Sequence, residues 1–477
     1  MTEKKLNTGS HDLPVSDALA AFMKTGWADS EITDLAAHDV APFTAARRAA
    51  LSATFPGYRI VLPAGGFKVR ANDTDYKFRA HSTFAWYSGV GAADVIPESV
   101  LVLEPTATGH HALLYIHPRS PKDTDEFFRD RRHGEFWVGR RYTTGEMERR
   151  YGVSVRHIND VYALLKDGTK TLAVRGEDPL IDAALPEADE LETDFITFTN
   201  EARLIKDEFE ITEMRKACDA TMRGFDDMVR ALPAAVKEPN GERVIESAFY
   251  GRARLEGNEV GYDSIIASGA HACVLHWMKN NGPVKNGDLI LIDAGVETDS
   301  HYTADVTRTL PVNGTFTEVQ RRIYMLVYEA QEAAFAVIKP GVNYREIYWA
   351  AQRVLAKGLE DLGFLNITAE ESLKPEVGLH RRWTVHSTGH MLGIDVHDCA
   401  KARNTEYLDA PLQAGMVLTV EPGLYFNADD LLIPEEFRGI GVRIEDDLLV
   451  TEDGFENLTA SLPRHPDDIE RWMQQLL

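Results

Sequence analysis

Leu289-Ile290-Leu291-Ile292-Asp293-Ala294-Gly295 reads as a strand that carries a carboxylate at its end. A short apolar run rich in branched side chains and closed by glycine fits a buried strand. Burying Asp293 in such a run is costly without a partner. Working outward, the pattern recurs. Ala304-Asp305-Val306-Thr307-Arg308-Thr309 follows it, then Thr384-Val385-His386-Ser387-Thr388-Gly389-His390. Val417-Leu418-Thr419-Val420-Glu421-Pro422-Gly423 and Gly441-Val442-Arg443-Ile444-Glu445-Asp446-Asp447 come later. In each, an acid or a histidine sits in or beside a β-prone run. The economical explanation is that these groups converge on cations.

Asp293 and Asp305 are an even number of positions apart. They therefore share one face if their strands pair as a hairpin with a suitable turn. With Glu421 and Glu445 they make four carboxylates, and His390 adds one imidazole. Four carboxylates in one pocket repel, and some would take up protons unless cations neutralise them. Two divalent ions match that charge. With one histidine for two ions, at least one ion meets only oxygen, which favours manganese; cobalt and zinc remain compatible. Water shared by two cations loses a proton far more readily than bulk water and becomes a nucleophile. The same ions would polarise a carbonyl and stabilise the oxyanion formed.

Bulk properties narrow the classes. The 477 residues are 44% hydrophobic, enough for several domains with large cores. Seventy-five acids against 51 bases give a net charge of -24, which argues against a nucleic-acid surface. Cys218, Cys273 and Cys399 form no disulfide-framework pattern. The polar stretch Met1–Asp12 lacks a signal-peptide core, and no apolar run of about 18 residues is present. A cytoplasmic protein without a membrane segment is expected.

Along the chain, residues 1–36 read as an N-terminal extension with one short helix over Pro14–Trp27. Residues 37–200 read as an α/β domain: a helix over Pro42–Thr54, then β-like runs at Tyr58–Leu62, Thr83–Tyr87, Val100–Leu103, Ala112–Ile116 and Thr171–Val174. His110-His111 reads as surface or turn, and Trp86 as core packing. Residues 201–477 form the second domain. A long helix follows Asp207 and is broken at Pro233, and a second spans Glu242–Glu256. Strands are expected at Tyr262–Ser268 and Leu289–Ala294. Thr317 and Gln320 form a capping box for a helix closed by Pro340-Gly341, and Asn343 with Glu346 repeats that signature. From His380 to Glu452 the pattern is mainly strands and loops.

These ordered motifs resemble the pita-bread metallopeptidases, most closely the proline-specific aminopeptidase P branch. The resemblance covers about Arg203 to Ser461 and, more loosely, the N-terminal α/β domain. It implies an N-terminal mixed α/β domain followed by a C-terminal pita-bread (creatinase/aminopeptidase) domain. It implies hydrolysis of the first peptide bond of peptides with proline in second position, by a hydroxide held between two metals. Asp293 would chelate one ion, Asp305 and Glu445 would bridge both, and His390 and Glu421 would complete the second site. Glu421 would also handle the water's proton. His276 and His397 match positions near the substrate or leaving group, His386 and Arg443 match substrate-contacting or supporting positions, and Tyr262 matches a tyrosine near the metals. His271 and His301 match no role. A homodimer or homotetramer is implied.

Several rivals share parts of this pattern. A prolidase restricted to dipeptides, or an organophosphorus hydrolase, would use the same five ligands. Methionine aminopeptidases usually lack so long an N-terminal domain. Creatinase-like enzymes and non-catalytic pita-bread binding proteins should have lost ligands that survive here.

Overall fold

The computed structural model describes residues 14–477. The signal-peptide reading of Met1–Asp12 therefore lies outside the described residues. The chain divides into two compact units, the first ending at Thr199 and the second spanning Asn200–Leu477.

The first unit is built on a five-stranded mixed sheet in the order Ser154–His157, Gly109–Ile116, Val100–Thr106, Arg59–Pro63, Thr171–Ala173. The central strand Val100–Thr106 is antiparallel to both neighbours, while the two edge strands pair in parallel. Arg59–Pro63 is buried throughout, as its apolar run requires. Two expectations need correction. Residues 83–87 are not a strand but lie in the helix Ser82–Ser88. His81 Nδ1 accepts the Thr83 amide, and Gly89 closes the helix in the left-handed region at φ 76°. These caps and full burial outweigh the β preference of Phe84, Trp86 and Tyr87. His110 and His111 are not in a turn but on the strand Gly109–Ile116. His110 is half-buried between Ser52 Oγ (2.8 Å) and the Tyr58 carbonyl (2.6 Å), and His111 is exposed.

The second unit holds two three-stranded antiparallel sheets and two two-stranded ribbons, of which the smaller pairs Val296–Glu297 with Glu259–Val260. The first sheet is ordered Val306–Pro311, Leu289–Ala294, Ile265–Ser268. The second is ordered Val417–Val420, Asp446–Val450, Phe455–Asn457. The larger ribbon pairs Gly423–Phe426 with Ile440–Arg443. Helices Glu208–Ala235, Gly241–Glu256, Glu318–Phe335 and Arg345–Asp361 contribute their apolar stripes to one core with these strands. Asp207 with Glu210, and Thr317 with Gln320, form reciprocal capping boxes.

Helix boundaries depart from expectation at three points. Pro233 lies inside the first helix, which continues two residues to Ala235 instead of breaking. The third ends at Phe335, before Pro340. At Arg345–Asp361 the side chain of Asn343 receives the Arg345 amide and donates to the Asp409 carbonyl, whereas Glu346 turns to Arg353. The sequence signature there is a turn clamp, not a capping box.

Candidate active site

Strand register explains how distant carboxylates meet. Asp293 is paired with Thr307 across the first sheet, and Asp305 lies two residues before Thr307. The period of two puts both aspartates on one face. In the second sheet Val420 is paired with Asp446. The next opposed positions are Glu421, just past one strand, and Glu445, just before the other. The Glu445 amide donates to the Thr307 carbonyl (3.0 Å), which fastens the second sheet's glutamates to the first sheet's aspartates. His390 is on a loop, not a strand; the β-prone stretch 384–390 pairs only through its neighbour Met391 with Leu418. Thr419 accepts the His390 amide on its hydroxyl and donates its own amide to the His390 carbonyl. A Cβ on Gly389 would overlap the Thr419 carbonyl, so only glycine lets the loop approach this closely.

All ten residues singled out in the sequence line one cavity of about 450 Å³: Tyr262, His276, Asp293, Asp305, His386, His390, His397, Glu421, Arg443 and Glu445. Donor atoms of Asp305, His390 and Glu445 lie within 4.8 Å of one another. His390 Nε2 is 3.3 Å from Asp305 Oδ2 and 3.8 Å from Glu421 Oε1. Its Nδ1 faces the Met391 carbonyl at 3.1 Å, which places the proton there and turns the Nε2 lone pair toward the acids. The Tyr262 hydroxyl lies 2.7 Å from Asp293 Oδ1 and 2.5 Å from Asp305 Oδ1.

The electrostatics show what the set is built around. Burial, reinforced by Asp305, Glu421 and Asp293, pushes Glu445 well above the carboxylate range. Burial raises Glu421 to about 7 against the pull of His390 and Arg443. Burial also raises Asp293, although Arg443 opposes it. Burial alone would depress His390, but Asp305 and Glu421 override it and lift it to about 9. Acids driven to hold protons, around an imidazole driven to gain one, are short of positive charge. Oxygen-rich donors with one imidazole suit hard or borderline divalent cations. Asp293, Asp305, His390, Glu421 and Glu445 can hold them.

Histidines that face the cavity differ from His390. Burial, Arg443 and His276 lower His386 to about 4, and its Nε2 is 2.7 Å from the Tyr425 hydroxyl. Burial and the His390 ring, 4.4 Å away, also lower His397. Both are neutral imidazoles at neutral pH, suited to hydrogen bonding rather than charge pairing.

Sequence reasoning passed over the groups that steady this set. Thr307 Oγ1 donates to Glu445 Oε2 (2.6 Å) and accepts from Arg443 Nε (3.1 Å). Asp447 Oδ2 accepts the Asp305 amide (3.1 Å). Tyr425 bridges His386 and Arg443. The signal for Thr307 was present, since it alternates with Asp305 on one strand face. Tyr425 carried none, because its partners come from other segments. His271 belongs outside the cavity: Nδ1 is 2.7 Å from Glu242 and its ring stacks on Trp277.

Residues 212–452 match the model of metallopeptidase family M24, and residues 44–173 match the aminopeptidase P N-terminal domain. Over 97% of its length the chain is 54% identical to Xaa-Pro aminopeptidase 1 of Streptomyces coelicolor, covering 93% of that protein. The chain belongs to metallopeptidase family M24. A second relative, the Xaa-Pro aminopeptidase of Escherichia coli, is 33% identical over 90% of the chain and 97% of its own length. Pseudomonas aeruginosa aminopeptidase PepP superposes with a TM-score of 0.80 at 31% identity, covering 92% of this chain and 99% of that one. Zinc-substituted Escherichia coli aminopeptidase P in complex with product gives the same TM-score and identity, over 92% and 100%. The second unit is thus the M24 pita-bread domain, preceded by a mixed α/β domain.

Proposed function

We propose that this M24 chain is a dinuclear-metal aminopeptidase that removes the first residue from peptides with proline second. The observation that carries the reading is the cavity in which Asp305, His390 and Glu445 converge between Asp293 and Glu421. The names of its relatives, Xaa-Pro aminopeptidases covered almost end to end, support it. Asp293 would hold one ion, His390 and Glu421 the other, and Asp305 and Glu445 would be shared. The ions, when bound, supply the electrophile for the scissile carbonyl and acidify the attacking water.

The chain's own groups do the rest. Glu421 would take the proton of the attacking water and return it toward the leaving nitrogen. The leaving nitrogen gains a proton as the bond breaks, as any amide nitrogen does; what a bond to proline lacks is the N–H that a site could otherwise grip. His276 and His397 line the same cavity and are assigned to the substrate backbone and leaving group. His386 and Arg443 are assigned to the proline side of the substrate, and Tyr262 to orienting Asp293 and Asp305. The free substrate amine would rest against the acids.

Manganese is the proposed ion, because one imidazole among four carboxylates leaves an all-oxygen site. We place the protein in the cytoplasm as a homodimer or homotetramer. All three cysteines are free and buried, in keeping with a reducing compartment. Among the described residues no helix is long and apolar enough to cross a membrane. The division proposed is an extension over 1–36, the α/β domain over 37–200 and the catalytic domain over 201–477.

The deciding experiment strips the protein with chelator, restores manganese, and offers Xaa-Pro dipeptide, Xaa-Pro-Xaa tripeptide and an Xaa-Ala control. Manganese-dependent release of the first residue from the tripeptide, with little cleavage of the alanine peptide, is expected. Cleavage of the dipeptide alone would make the chain a prolidase. Equal cleavage of proline and alanine peptides would end the proline-specific reading. Light scattering of the same sample reads the oligomer.

A further inference from the structure

The first unit holds a second group of metal-type ligands, apart from the cavity described above. His117 follows the strand Gly109–Ile116, and Asp130 and His133 lie in the turn after the short helix Glu126–Arg129. Donor atoms of His117, Asp130 and His133 lie within 4.8 Å of one another. The two imidazole rings meet edge to face with centroids 4.0 Å apart, and the His157 ring is 5.5 Å from that of His117.

The local backbone fixes this arrangement. Asp130 Oδ1 accepts the Arg132 amide (2.8 Å) and the His133 amide (2.9 Å), leaving Oδ2 turned to His133 Nδ1 at 3.3 Å. Glu126 Oε1 stands 3.1 Å from His117 Nε2, and Glu98 Oε2 stands 3.9 Å from His133 Nε2. His117 Nδ1 and His133 Nε2 are buried without a hydrogen-bond partner. A buried ring nitrogen left unpaired is costly, and each of these two calls for a ligand.

Charge points to the ligand's sign. Asp130, Glu126 and Glu98 face the imidazoles. The cations beside them are Arg141, which donates to the His133 and Pro118 carbonyls, and Arg132, 3.5 Å from Glu98. Neutral imidazole lone pairs beside a carboxylate are a ligand set for a borderline divalent ion.

We propose that His117, His133 and Asp130, with Glu126 alongside, bind a divalent cation of the zinc class that ties the end of the strand Gly109–Ile116 to the turn at Asp130–Gly134. Two imidazoles with a carboxylate favour zinc more strongly than the oxygen-rich donors of the catalytic cavity do, so the two sites sort ions by donor type.

The test uses the full chain, stripped with chelator and equilibrated with zinc, with bound metal counted per chain. A variant disabled in the catalytic cavity, Asp305→Asn with His390→Ala and Glu445→Gln, is expected to retain one zinc ion. Adding His117→Ala and His133→Ala removes that ion. With copper in place of zinc, the cavity variant is expected to show nitrogen hyperfine coupling from two imidazoles. His117→Ala/His133→Ala alone keeps tripeptide cleavage while losing one zinc ion per chain. A cavity variant that holds no zinc, although His117 and His133 are intact, overturns the proposal whether or not the alanine variants fold. So does an ion that survives their replacement.

Discussion

Arg443 Nη2 donates to Asp293 Oδ2 across 2.5 Å, and the same guanidinium reaches Thr307 Oγ1 through Nε and the Tyr425 hydroxyl through Nη1, each at 3.1 Å. One buried cation therefore orients the cavity acid Asp293, the threonine that holds Glu445, and the tyrosine that meets His386. A lysine ammonium cannot reach in these three directions at once. Arg443→Lys is expected to lower kcat/KM for Xaa-Pro-Xaa tripeptides by about 100-fold or more. Steady-state kinetics at measured metal content check this; an unchanged kcat/KM refutes it.

Removing the metal should remove both activity and some stability. Ligand bound only by the folded chain stabilises it by mass action, about 2.7 kcal/mol at 100 times Kd. Chelator is expected to abolish tripeptide cleavage and lower the melting temperature, and manganese to restore both. In Asp305→Asn and Glu445→Gln the melting temperature should respond far less to manganese. A full response in these variants would show that these carboxylates do not hold the ion.

Arg308 supports Glu445 from behind. Its guanidinium donates to Asp446 Oδ1 (2.7 Å) and to the carbonyls of Glu445 (2.7 Å), Pro463, Leu462 and Thr307, with both charged side chains fully buried. Asp446→Ala leaves that cation unpaired in the core, which costs about 3–5 kcal/mol. Denaturant unfolding should report this as a lowered midpoint; a loss under 1 kcal/mol would mean the pair is not structurally needed.

Gly389→Ala tests how the histidine loop is set. The added Cβ collides with the Thr419 carbonyl, whose residue also holds the His390 amide. His390 must shift, and a small misplacement of a ligand costs about 100-fold in rate. We expect kcat/KM to fall by that order while the circular dichroism spectrum is retained. Wild-type kinetics in this variant would show that the loop can yield.

Glu146 governs acid stability in the first unit. Burial would raise its pKa, but Arg140 and the amides of Ile32 and Thr143 outweigh that and hold it at about 2. A depressed acid contributes stability above its unfolded pKa and loses it as pH falls through the folded one. The contribution is therefore complete at neutral pH and fades from about pH 5 to about pH 2. Glu146→Gln should cost about 1–3 kcal/mol at pH 7. Its deficit in melting temperature should shrink across that acid window. A deficit that does not change with pH would rule this out.

The sequence by itself determined the fold and picked out the acids and histidines that line one cavity. Leu289–Ala294 and Val417–Val420 read as strands because they are short apolar runs rich in branched side chains and bounded by turn residues, and they occur where expected. The acids were legible because a carboxylate in such a run demands a partner. Capping at Thr317 was legible because it is local chemistry. Where local preference competed with burial it misled: Phe84–Tyr87 favours strand in isolation but is helix inside caps. Only the tertiary structure decided the pairing of Val420 with Asp446, which sets Glu421 opposite Glu445, and the reach of Arg443 to Asp293. Register and long-range contacts join segments far apart in the chain, as Asp293 and Arg443, 150 positions apart, show. Sequence periodicity carries information over one element, so the cavity's acids could be named from the chain, but the support from Thr307, Tyr425 and Arg308 appears only when the strands are brought together.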